Sequence, residues 1–173
     1  MIIQFCGLSG SGKTTLAENV KRQLSQKNIN VEIIDGDEYR KVLCADLGFS
    51  KEHRNQNIRR LAFVASKLAK YKIVPIICAI NPYDDIRQET VCLYENVKTI
   101  FIDCALDVLI QRDTKGLYKK ALLPHGHPDK IGNLSGVNDP FEVPANPDLI
   151  IRSDLESVEI STEKLANFIL SNL

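Results

Sequence analysis

The sequence has no excess of charge of either sign: 22 Lys and Arg stand against 22 Asp and Glu. That excludes a protein that grips duplex nucleic acid by bulk charge, so any anion site must be built locally. The longest strongly apolar run, Ile73 to Ile80, is eight residues and too short to span a bilayer. No charged stretch precedes an apolar one at the N-terminus, and no secretory signal is expected. The five cysteines are odd in number and contain no Cys-x-x-Cys pair. They read as reduced core thiols of a cytosolic protein. There is no internal repeat, low-complexity tract or linker. The 173 residues, 44% hydrophobic and 25% charged, read as one soluble domain spanning 1–173.

Strand and helix patterns alternate along the chain. Ile2 to Cys6 reads as a buried strand. Lys13 to Lys27 reads as a helix with Leu16, Ala17, Val20 and Leu24 on one stripe. Asn30 to Asp35 is a second strand. Ser50 is a good N-cap for a helix reaching Tyr71. Ile73 to Ile80 is the most apolar strand, expected at the sheet centre, although Pro75 predicts a bend or a later start. A short helix is expected after Asp84. Strand Lys98 to Asp103, helix Leu106 to Arg112, strand Leu149 to Arg152 and helix Val158 to Leu170 complete the pattern. Such alternation implies a mostly parallel sheet covered on both faces. Between Asp113 and Pro147 periodicity fades among Gly, Pro, Lys and Asn, and this stretch reads as a lid.

Gly7-Leu8-Ser9-Gly10-Ser11-Gly12-Lys13-Thr14 fits G-x-x-x-x-G-K-[ST], with a strand before and a helix after. Glycines let backbone N–H groups surround phosphate oxygens, Lys13 supplies a point charge and Thr14 a hydroxyl for Mg²⁺. Thr15 completes the expected phosphate contacts. The second strand ends at Asp35-Gly36-Asp37, where a parallel sheet binds its ligands. One carboxylate suits proton abstraction from a hydroxyl; the other suits Mg²⁺ held through water. A turn that merely uses Asp and Gly well reads the same way. Arg40, Arg54, Asn57, Arg59 and Arg60 follow. Arg54 and Asn57 share a helix face, and Arg40 and Arg54 are the better candidates for forked anion contacts.

Six blocks resemble the adenylylsulfate kinase (APS kinase) family in order and spacing. They are residues 7–14, Asp35 to Arg40, Gly48 to Arg60, Ile80 to Tyr83, Arg112 to Lys120, and Leu134 to Pro144. The resemblance implies a P-loop nucleoside-triphosphate-hydrolase-type α/β fold: three layers, a mostly parallel five-stranded sheet and a mobile lid over approximately 113–147. It implies transfer of the γ-phosphate of MgATP to the 3′-hydroxyl of adenosine 5′-phosphosulfate. In that reading Asp35 is the base, Asp37 lies near the metal, and Lys115 reaches over the transferring phosphate. Arg40, Arg54 and Asn57 hold the phosphosulfate end, Phe49 stacks on the acceptor base, the Ile80 backbone touches the acceptor, and Arg112 lies near the donor adenine. Family members are often dimers, so a homodimer is a further expectation.

The chain departs from the family pattern in places. A segment common before the phosphate loop in relatives has no counterpart ahead of Ile2. Leu134 stands where the family carries a Phe that sandwiches the acceptor adenine, and base stacking is worth about 1–3 kcal/mol on nucleic-acid precedent. The lid is several residues longer and contains His125 and His127, which read as solvated loop rather than metal ligands. A 3′-kinase of a related nucleotide, such as cytidine diphosphoramidate, is the alternative these changes leave open.

Overall fold

The computed structural model describes all 173 residues. Five strands form one sheet: β1 (Ile2–Cys6), β2 (Val31–Asp35), β3 (Val74–Cys78), β4 (Val97–Asp103) and β5 (Leu149–Arg152). Their spatial order is β2-β3-β1-β4-β5, and every neighbouring pair is parallel. Seven helices join them: α1 (Lys13–Ser25), α2 (Gly36–Tyr39), α3 (Lys51–Ala69), α4 (Asp84–Leu93), α5 (Leu106–Arg112), α6 (Leu117–Ala121) and α7 (Val158–Asn172).

Successive side chains of a strand point to opposite faces, and the core divides accordingly. On one face Ile3, Phe5, Val74, Ile76, Ile100 and Ile102 pack with Leu16, Val20 and Leu24 of α1 and Leu165 and Ile169 of α7. On the other, Ile2, Ile34 and Ile77 pack with Ile58, Leu61 and Ala65 of α3 and Ile86 of α4. These are the three layers the sequence implies. β1 and β3 are buried at every residue because both of their faces and both of their edges are covered.

Pro75 sits inside β3 without breaking it. The Val74 N–H donates to Asn30 O on the β2 side. The next nitrogen therefore faces β1, whose pairing with β3 starts only at Ile76. Pro75 thus lies at the one interior position where no donor is needed. β3 is shorter than its apolar run because Ala79 and Ile80 leave the ladder; the Ile80 carbonyl turns to accept from the Gly7 N–H.

Two further expectations change. Asp35-Gly36 is not a plain turn: the Asp35 side chain caps α2, a helix the sequence reading lacks. The stretch 113–147 is not featureless, since it holds α6 and a bridge between Ser135 and Asp139. Tyr118 and Ala121 of α6 join Cys104, Leu109 of α5 and Leu134 in a third, smaller core. Ser50 caps α3 as expected, accepting from the His53 N–H at 3.2 Å. All five cysteines are free, and only Cys92 is exposed. No helix is long and apolar enough to cross a membrane.

Leu165 is fully buried between α7 and the sheet. Leu165→Ala is expected to destabilise the protein by about 2–5 kcal/mol, read as a lower denaturant midpoint at unchanged slope.

Candidate active site

A parallel sheet delivers the loops after its strands to one edge, and here three of them converge. The loop after β1 carries residues 7–14. An added Cβ on Gly7 would lie 2.4 Å from the Ile102 carbonyl oxygen, a backbone atom that cannot yield. Only glycine lets β1 turn there against β4. Lys13 Nζ donates to Gly7 O at 2.9 Å, Leu8 O at 2.6 Å and Ser11 Oγ at 3.3 Å. Burial among these groups pushes the ammonium down to about 8, and the positive charge of Lys115 acts in the same direction.

The loop after β2 starts at Asp35. Its Oδ1 accepts from the Asp37 N–H at 2.8 Å and the Glu38 N–H at 3.4 Å, and its Oδ2 accepts from Thr14 Oγ1 at 2.9 Å. Asp37 Oδ2 in turn receives Lys115 Nζ at 2.5 Å. Phosphate loop, β2 end and the 113–147 stretch are thereby joined through two carboxylates. A hydroxyl beside carboxylate oxygens suits Mg²⁺, which takes few protein ligands and completes its shell with water and phosphate oxygens. No three His, Cys, Asp or Glu side chains gather closely enough to hold a metal ion by themselves anywhere in the chain, this junction included.

These groups border a cleft of about 480 Å³, within the range of small-ligand sites. Ser9, Gly10, Gly12, Lys13, Thr14 and Thr15 form its phosphate-loop side. Asp35, Asp37, Phe49 and Arg54 form a second side, Ile80 the floor, and Lys115 and Leu134, from the 113–147 stretch, a third side. Gly7 and Ser11 lie behind the loop, fully covered.

Phe49 is half exposed, with the guanidinium of Arg40 at 4.7 Å from the ring centre and that of Arg54 at 5.5 Å. Arg54 is buried. It donates to Phe49 O at 2.9 Å and Asn133 O at 2.5 Å. Its Nη2 also lies 3.2 Å from Asp139 Oδ2, a charge contact without hydrogen-bond alignment.

Three expected site residues stand apart from the cleft wall. Arg40 donates to the Leu47 and Gly48 carbonyls at 3.3 and 3.0 Å, so it braces the Phe49 loop. Burial lowers its pKa, with Arg54 adding to the effect. Asn57 is buried within α3, and its Oδ1 has no partner. Arg112 turns to Ser153 O at 3.4 Å and Cys104 Sγ at 3.7 Å. Leu134 does line the cleft, but 5% exposure shows that the third, smaller core takes nearly all of its surface. Arg59 and Arg60 are engaged by Glu89 and Asp46, away from the site.

Sequence reasoning missed the residues that hold the site in place. Asp113 accepts from the Tyr118 and Lys119 N–H groups and so fixes the start of α6, just after Lys115. These backbone bonds hold its carboxyl below the usual range. Arg87, almost fully buried, donates to Asn81 O and Glu142 O, both at 2.7 Å. It ties the loop after β3 to the irregular segment around Glu142. A lone Arg on a helix carries no sequence signal for this; the acidic residue ahead of Gly116 does mark a helix start.

The sequence pattern that defines adenylylsulphate kinases matches residues 1–152. The chain belongs to the adenylylsulfate kinase family. An adenylyl-sulfate kinase of Chloroflexus aurantiacus is 44% identical over 158 residues, covering 91% of this chain and 82% of that one. One of Deinococcus deserti is 42% identical over 164 residues, covering 95% and 88%. Among solved structures, the Mycobacterium tuberculosis APS kinase in complex with AMPPNP and APS superposes with a TM-score of 0.86 at 35% identity. That match covers 99% of this chain and 95% of the other. The sheet, helices and phosphate loop of this family member are thus those of an ATP-dependent kinase with an alcohol acceptor.

The lowered pKa of Lys13 gives a pH prediction. Below about pH 8 the ammonium is charged before ligand arrives; above it, binding a polyphosphate must first restore the proton. ADP affinity is therefore expected to fall as pH rises from 8 to 10, by up to about tenfold per unit, with proton uptake visible by calorimetry in buffers of different ionisation enthalpy. A flat affinity across that range would place the Lys13 pKa at its ordinary value.

Proposed function

We propose that the chain transfers the γ-phosphate of MgATP to the 3′-hydroxyl of adenosine 5′-phosphosulfate, giving 3′-phosphoadenosine 5′-phosphosulfate and ADP. The observation that carries this reading is the junction of Thr14, Asp35, Asp37 and Lys115 at one end of the cleft, in a chain of this family. A phosphate donor held by the loop and a hydroxyl acceptor held near Phe49 meet there.

In-line transfer needs positioning and positive charge more than covalent help. The loop amides and Lys13 hold the β- and γ-phosphates. The Thr14 hydroxyl and the Asp37 carboxylate would hold the Mg²⁺ that accompanies the nucleotide, and the ion would supply positive charge to the phosphates. Asp35 takes the proton of the 3′-hydroxyl as the O3′–P bond forms and the bond to the bridging β–γ oxygen breaks. Its Oδ1, fixed by two amides of α2, sets the carboxylate plane, and its Oδ2 faces Thr14 and the cleft. Lys115 lies near enough to Asp37 to follow charge onto the transferring group.

Phe49 offers a flat open ring for the acceptor base, and Arg54 a fork for the anionic end. Arg40 acts on the acceptor through the Phe49 loop that it braces. Leu134, an aliphatic residue lining the same cleft as Phe49, favours a second reading in which the acceptor is a related nucleotide such as cytidine diphosphoramidate. The unpaired thiols accord with a reducing compartment such as the cytoplasm. A homodimer is the proposed assembly; one structural relative, from Thiobacillus denitrificans, is hexameric.

Coupled release of ADP from MgATP is expected with adenosine 5′-phosphosulfate and not with AMP. A higher kcat/KM with cytidine diphosphoramidate would transfer the same chemistry to the second acceptor. Asp35→Asn keeps an oxygen to cap α2, so the fold should stand. Its kcat is expected to fall at least about 100-fold with ADP affinity within a few fold. Normal turnover would remove Asp35 as the base.

A further inference from the structure

Tyr118 belongs to the lid, yet its hydroxyl reaches the phosphate loop. It donates to the Ser9 carbonyl oxygen at 2.8 Å, in a buried contact that joins α6 to the loop after β1. The ring itself packs with Leu109, Ala121 and Leu134. Leu8, the residue before Ser9, packs against the same lid core, and a Cβ added on Gly136 would lie 2.6 Å from its Cδ2. The phosphate loop is therefore gripped from its outer side by the lid, at Leu8 through packing and at Ser9 through a hydrogen bond.

A trans peptide is planar, with its C=O and N–H directed oppositely. Holding the Ser9 carbonyl outward holds the Gly10 N–H inward. That N–H takes no acceptor within the chain, and Gly10 lines the cleft. We propose that Tyr118 is a positioning residue for nucleotide binding: through Ser9 O its hydroxyl sets the Ser9–Gly10 peptide plane that presents an amide to the phosphates. The group works as a donor at any ordinary pH, because burial pushes its pKa up to about 12. The coupling is reciprocal, so phosphates that order the loop also hold α6, and with it the Lys115 end of the lid.

This inference rests on the phosphate-loop reading above. Its test is the binding of ADP, of adenosine and of adenosine 5′-phosphosulfate to the full chain and to Tyr118→Phe, which keeps the ring in the lid core. ADP affinity is expected to fall about three- to tenfold in the variant, the effect of one hydrogen bond. Adenosine, which lacks phosphates, should bind both forms alike, and the KM for adenosine 5′-phosphosulfate should stay within twofold. A merely structural role would lower the unfolding midpoint without that selectivity. Equal ADP affinities, or equal losses for all three ligands, would overturn the assignment. Failure of the unaltered chain to bind ADP would instead overturn the phosphate-loop reading, and this inference with it. Should Tyr118→Phe not fold, amide hydrogen exchange on the unaltered chain decides. ADP must slow exchange in residues 117–121 as well as in 8–12, and an unchanged α6 would sink the coupling.

Discussion

The Asp35 carboxylate is shared among three parts of the molecule, and the site depends on that sharing. β1 and β2 are not neighbours; β3 lies between them. A group from the β1 side must therefore reach across the end of β3 to meet one from β2. The first turn of α1 does so through Thr14, above Cys78, the register partner of Asp35. The other carboxylate oxygen starts α2, which turns Asp37 toward the lid and Lys115. Removing the carboxylate would unfasten a helix start, a hydroxyl and a charge pair together. An amide in its place would keep all three and lose only the base.

Neutrality of the whole chain conceals a local separation of roles. On the outer surfaces Lys21, Arg59 and Arg60 meet Glu32, Glu89 and Asp46, so their cations are spent on fixed pairs. Exposed pairs of this kind add little to stability. Inside the cleft Lys13 leans on neutral carbonyls, and Arg54 approaches Asp139 only as a charge contact. The cations that face the cleft are those least matched by hydrogen-bonded carboxylates, Lys115 excepted. That is how a chain without net charge presents a surface that prefers polyanions.

The order of strands and helices was legible because both faces of the sheet need apolar side chains at fixed periods. Leu16, Ala17, Val20 and Leu24 fall on the buried stripe of α1 just as their spacing indicates. Boundaries were less legible. The run to Ile80 continues past β3 because Ala79 and Ile80 stay apolar while serving the cleft floor. α2 was hidden, since an Asp-Gly pair caps a helix and makes a turn with the same atoms. The phosphate loop and the two carboxylates could be read from local motifs. The supports at Arg87, Asp113 and Tyr118 could not, because their partners at Glu142, on the α6 backbone and at Ser9 are set by tertiary folding. Arg40, Asn57 and Arg112 show the converse: residue type and position invite direct ligand contact, yet none of the three lines the cleft in this structure.

The position of β1 has a consequence for synthesis of the chain. β1 leaves the ribosome before the other four strands, all five residues apolar or destined for burial, yet its two neighbours are β3 and β4. Ile3 waits for Ile76, and Ile2 waits for Val97. Until nearly half of the polypeptide has emerged, the future centre of the sheet has no partner strand. Such long-range parallel pairing is slow to form and leaves a sticky strand open to aggregation meanwhile. The phosphate loop, which follows β1 directly, cannot take its shape until β4 brings the Ile102 carbonyl beside Gly7. Nucleotide binding is thus a late event in the life of the nascent chain, even though its motif is made before four of the five strands.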